Sequence, residues 1–245
     1  MKIRDIYEII DKIAPFSTAC EWDNCGLICG DMEQEVTGIY LTLDADLYAL
    51  ENAKKQGANL VISHHPLTFE PLRKVTAESN IYHYIRNGIA VISAHTCLDA
   101  AKGGINDCLA EIAGLEDIKE MITDGIPLGR TGHVLADDGD GFVESLCKKL
   151  NTGAQYVING KIRNVAVVSG SGGGCMDDAV KSGCDTLITG EAKHDHFVKA
   201  NDIGFNLIAL GHFETENIIL QPLYEKLKGI CPVFISDRKY NFRRI

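Results

Sequence analysis

Five residues spread along the chain, His64, His65, Asp99, His212 and Glu216, are of the types that bind divalent transition metals. Imidazole nitrogens combined with carboxylate oxygens suit Zn, Fe, Mn, Co or Ni. Cys20, Cys25 and Cys29 lack the spacing of a structural Cys-type zinc or iron–sulfur site. Five donors exceed what one closed tetrahedral ion uses, so the set points to two ions held about 3.5–4 Å apart, as in two-metal hydrolytic sites. His212 and Glu216 are four apart where a helix should begin, which allows both to face one ion, and His95 and Asp99 repeat that spacing. His64 and His65 precede Pro66, whose ring ends a strand and lets the two imidazoles diverge. Any one of these histidines alone would be read as a hydrogen-bonded structural residue. The weight lies in the set: of eight histidines, His64, His65, His95, His194 and His212 follow apolar runs, whereas His83 and His133 look ordinary and His196 has no assigned role.

The elements that must position these residues alternate between short β-branched runs and amphipathic stretches, an α/β pattern. Strands are expected at 36–43, 58–63, 89–94, 162–169, 184–189 and 205–210, and helices at 46–56, 78–87, 176–182 and 214–228. Gly57, Gly88, Gly183 and Gly204 stand where left-handed helix caps are expected. Ser63-His64-His65-Pro66, His95 to Asp99, Gly190-Glu191 to His194, and His212 to Glu216 all fall at strand ends, where ligands collect in open α/β sheets.

Ala53 to Gly57 followed by ANLVISHH is echoed by Ala179 to Gly183 followed by CDTLITGE. NGIAVISAHTCLD and IGFNLIALGHFETE form a second echo. Both echoes fit an internal duplication into two similar α/β lobes. Helix–Gly–strand units that look alike in any α/β protein are the competing explanation. The loss of periodicity across 115–131, with Gly125, Pro127 and Gly129, places the boundary there, giving lobes 1–125 and 126–245, with the C-terminal part packing back on the first.

The net charge of −10 argues against a phosphate-neutralising nucleic-acid surface. No apolar run reaches the roughly 20 residues of a membrane span, and MKIRDIYEIIDKIAP does not read as a signal peptide, so a cytoplasmic protein without a membrane partner is expected. Nine cysteines, an odd number without a CxxC pair, read as reduced thiols. Gly170 to Gly174 follows a strand and offers amides to an anion, although a tight strand-to-helix turn explains the glycines equally well. The sole Trp, Trp22, lies in a polar loop that either lines the site or packs against a helix cap.

The motifs EWDNCGL, SHHPLTF, SAHTCLDAAKGGIND, VVSGSGGG, TGEAKHDHF and GHFETE, in this order, resemble the NIF-three-like dinuclear metal-centre family, also described as GTP cyclohydrolase 1 type 2 homologues. The resemblance spans nearly the whole chain, without the extra central domain that some members carry. It implies three-layer α/β lobes with the metal site in the cleft between them, and two divalent ions held by His64, His65, Asp99, His212 and a bridging Glu216. It also implies catalytic roles for His95 and Glu191, with His194 in the same cavity, and a toroidal homohexamer. Cys97, Lys102 and Asp195 depart from the common pattern, but the five ligands are intact. The expected function is a metal-dependent hydrolase acting on a nucleotide or other phosphate-containing anion, GTP cyclohydrolase-like by resemblance. The alternative is a non-catalytic protein of metal storage, delivery or regulation.

Overall fold

The computed structural model describes residues 1–123 and 125–240. In chain order the first elements are α1 (Ile3–Ile13), β1 (Gly26–Cys29), β2 (Ile39–Asp44), α2 (Leu47–Lys55), β3 (Leu60–His65), α3 (Asn80–Arg86), β4 (Ala90–Ser93) and α4 (Thr96–Ala100). There follow α5 (Ile105–Ala113), β5 (Glu116–Thr123), β6 (Ile126–Ala136), α6 (Gly139–Leu150), β7 (Gln155–Val157) and β8 (Ile162–Val168). The chain continues through α7 (Met176–Lys181), β9 (Thr186–Thr189), α8 (His194–Ile203), β10 (Asn206–Ala209), α9 (His212–Glu216), α10 (Leu220–Leu227) and β11 (Val233–Ile235).

Two compact units result, one comprising Met1–Ala101 and, of the described residues, 219–240, the other Lys102–Ile218. The boundary thus falls near residue 101, not at 125. The segment read as a periodicity gap is the antiparallel pair β5–β6. Only Met121 and Thr123 of β5 are buried, so its outward face carries polar residues and masks the strand signal. Helix α5 ahead of it joins the core of the second unit through Leu109, Ala110 and Ala113. Residues 241–245 of the expected second lobe lie outside the described residues.

In the first unit the sheet order is β1-β4-β3-β2-β11. Parallel register aligns Tyr40, Val61 and Val91 across β2, β3 and β4. These three pack on Ala49, Leu50 and Ala53 of α2 and Tyr84 of α3. The alternate residues Ile39, Leu41, Leu60, Ile62, Ala90 and Ile92 are buried on the opposite face, so the strands are apolar throughout. Asp46 begins α2 by accepting the Ala49 N–H at 2.8 Å, a cap contributing about 1 kcal/mol.

The second unit has the order β5-β6-β8-β9-β10-β7. Val167, Ile188 and Ile208 align on one face and pack with α5 and α6, while Ala166, Leu187 and Leu207 face α7 and α8. Each unit is therefore a three-layer sandwich, and the likeness goes further. Three consecutive parallel strands, β2-β3-β4 in one and β8-β9-β10 in the other, are each followed at the third strand by an antiparallel neighbour, β1 or β7. The four glycines read as caps all have positive φ.

The expected helix at 214–228 is instead two, α9 and α10, separated by a 3₁₀ turn over Asn217–Ile219. Pro222 has no N–H for the Ile218 carbonyl, so the helical ladder cannot run through.

Candidate metal centre

In the first unit the site is built at the carboxyl ends of β3 and β4. His64 is buried, and its Nδ1 lies 3.0 Å from the Ala94 carbonyl. A carbonyl only accepts, so Nδ1 carries the proton and donates it, leaving the electron pair on Nε2. His65 Nδ1 donates to Asp44 Oδ1 at 2.7 Å. The pairing follows from register, since Asp44 ends β2 opposite His65. Tyr240 donates its hydroxyl to the other Asp44 oxygen at 2.6 Å. Burial and the neighbouring Asp44 raise the Tyr240 phenol, keeping it a donor.

His95 follows the same pattern, donating from Nδ1 to Asp23 Oδ1 at 3.0 Å. Asp23 also accepts the Thr96 N–H at 2.9 Å and the Thr96 hydroxyl at 2.5 Å. Burial works to raise the Asp23 carboxyl, but the hydrogen bonds and charge of His95, with those of Thr96, outweigh it and hold the group well below the usual carboxylate range. The three imidazoles gather closely, with ring centres 4.9 Å apart for His64 and His65, 4.9 Å for His64 and His95, and 5.6 Å for His65 and His95. One donor atom from each lies within 4.8 Å of the others, a group able to hold a metal ion.

Asp99 is buried in α4, with Oδ1 3.9 Å from His64 Nε2, wider than a hydrogen bond. The equal spacing of His95–Asp99 and His212–Glu216 is used differently in the two units. His95 is the N-cap residue of α4, outside the helix, so its ring turns to Asp23 while Asp99 turns to His64. His212 is already the first residue of α9, and its Nε2 lies 3.1 Å from Oε2 of the buried Glu216 one turn on.

In the second unit His212 Nδ1 donates to Glu191 Oε2 at 3.1 Å, and Ser171 donates its hydroxyl to the same oxygen at 2.9 Å. Partial burial raises the Glu191 carboxyl, but these bonds overcome it and leave the group lowered, hence ionised. These contacts are those of a group that orients His212.

Two amides of the glycine-rich loop are engaged within the second unit. The Gly170 N–H donates to Thr215 Oγ1 at 3.2 Å and the Gly173 N–H to the Glu191 carbonyl at 3.1 Å. Gly170, with φ of +58°, lies against the Glu216 carboxylate, and a Cβ there would come within 3.4 Å of His212 Nε2. The glycine admits the two donors to this corner of the unit.

His196 Nδ1 accepts the Lys193 N–H at 3.2 Å, capping α8, and His194 is exposed at the start of that helix. Trp22 stands beside His95 at 6.0 Å between ring centres. Asp44 and Asp23, which orient His65 and His95, were not singled out from the sequence. Asp44 ends an apolar strand just as His65 does, and that position was the available signal.

The sequence matches the profile of the family Duf34/NIF3 (NGG1p interacting factor 3) over residues 1–239. It is 35% identical to a "GTP cyclohydrolase 1 type 2 homolog" of Clostridium perfringens, over 93% of this chain and 92% of the relative. Among solved structures, Staphylococcus aureus hypothetical protein SA1388 superimposes with a TM-score of 0.90 at 29% identity, covering 100% of this chain and 99% of the other. "Reduced HcgD from Methanocaldococcus jannaschii" matches with a TM-score of 0.87 at 29% identity, covering 97% and 98%.

Proposed function

Because this chain belongs to the Duf34/NIF3 family, we propose that it binds two divalent transition-metal ions and hydrolyses a nucleotide or another phosphate-containing small molecule. In this reading the ions would be held by His64, His65, Asp99, His212 and Glu216. One observation carries it: Nδ1 of His64, His65 and His212 is in every case engaged by an acceptor. An imidazole so held presents the Nε2 electron pair, and a carboxylate behind the ring makes that nitrogen a stronger donor. The ion chemistry suits the set, since nitrogen and carboxylate oxygen are the donors of Zn, Fe, Mn, Co and Ni.

Bound ions of this kind supply Lewis acidity and lower the pKa of water. His95 is the proton carrier in this account. The ionised Asp23 fixes its Nδ1–H, which leaves Nε2 to take a proton and return it. Glu191 keeps His212 in its ligating tautomer. The name of the curated relatives favours a guanine nucleotide as substrate.

No helix among the described residues is long and apolar enough to cross a membrane, and the nine cysteines are free thiols, which supports a reducing cytoplasmic setting. The toroidal homohexamer is part of the same proposal, and light scattering on the purified chain would test it.

The deciding experiment isolates the protein without chelators and screens nucleotides and phosphoesters with the native chain, the metal-stripped chain and His95→Ala. Metal-dependent turnover is expected, lost in His95→Ala with metal content retained. Bound metal with no turnover on any substrate would favour storage or delivery. Turnover that survives both metal removal and the substitution would overturn the proposal.

A further inference from the structure

Two of the molecule's exposed aromatic side chains flank one histidine. Trp22 is 65% exposed and Phe69 47%, yet both rings meet His95, at 6.0 and 5.4 Å between centres and steeply inclined to it at 69° and 76°. Large apolar groups left in water next to a polar site mark a binding surface when they are held there by design of the fold. The loops carrying these two rings are held. Asp23, next to Trp22, is anchored by His95 and Thr96, and the following Asn24 donates its side-chain amide to the Thr68 carbonyl at 2.7 Å. That last bond ties the Trp22 loop directly to the residue before Phe69, so the two segments that carry the rings are held next to one another.

We propose that Trp22 and Phe69 form a stacking seat beside His95 for a planar heteroaromatic ring, the base of a nucleotide. This names the substrate class of the site and rests on the reading of it as a nucleotide hydrolase. Rigid rings lose little conformational entropy on binding and offer their faces to any base. Charge agrees with this occupant. Arg73 and Lys74 are exposed on the loop that carries Phe69 and have no ion-pair partner among the described residues, in a chain of net charge −10. A nucleotide phosphate is the anion such cations suit.

Trp22 is the sole tryptophan, so its fluorescence reports directly on the seat. The metal-free full-length chain is titrated with AMP, GMP and ribose 5-phosphate. Saturable quenching by both nucleotides and none by the sugar phosphate is expected. Phe69→Leu, which keeps apolar bulk without a ring face, should weaken nucleotide binding about tenfold, and Phe69→Tyr should retain it. Absence of saturable quenching, or undiminished binding by Phe69→Leu, would overturn the proposal. So would a Trp22 signal that follows protein concentration without nucleotide, which would mean that a second copy of the chain covers these rings. The readout needs neither metal nor turnover, so its failure leaves the proposed metal-dependent hydrolysis standing. Failure of that hydrolysis would likewise leave a measured base seat in place.

Discussion

Gly170 lies so close to Glu216 that a methyl group on its Cα would overlap Oε1 of the carboxylate. The glycine also has a φ of +58°, where an L side chain is strained. Gly170→Ala should therefore displace Glu216 and lower the metal bound per chain, with a stability loss of about 1–3 kcal/mol. Metal analysis alongside thermal unfolding checks this. A variant that melts lower but binds metal fully would show that the contact does not constrain the ligand.

Asp44 orients His65 without being among the expected ligands. Asp44→Ala should leave the fold intact and weaken metal affinity about 10–100-fold, the usual effect of removing a carboxylate behind a ligating histidine. Competition against a chelator of known affinity measures it, and unchanged affinity would remove Asp44 from the account.

Burial pushes the thiols of Cys29 and Cys184 up to about 11. A raised thiol pKa lowers the thiolate fraction at a given pH, to about one in a thousand at pH 8. In the folded protein both should resist iodoacetamide at pH 8 and react only as the pH approaches 11. Unfolding at pH 8 should restore labelling, read by mass spectrometry of the peptides. Rapid labelling of the native chain would contradict the effect of their partial burial.

Much of this architecture is legible in the residues because its strands are buried on both faces. The runs around Leu60–His65 and Thr186–Thr189 are apolar or neutral throughout, so both strands and the polar residues at their ends stand out. β5 and β7 are hidden because most of their side chains face solvent. The boundary shifted for the same reason, a polar edge strand being mistaken for a linker. Residue type marks His64, His65, Asp99, His212 and Glu216 as candidate ligands. The orienting groups are less visible, since Asp23 reaches His95 from far along the chain and Ala94 acts through its carbonyl. Gly170 reads as a turn until the carboxylate beside it is seen.

The most direct measurement is metal stoichiometry by elemental analysis of the chain prepared without chelators, repeated for Asp99→Ala and Glu216→Ala. The account predicts two divalent transition-metal ions per chain in the native protein and fewer in each variant, with helical content unchanged. A native chain that takes up no such ion under saturating conditions, or variants that hold as much as the native chain, would contradict it.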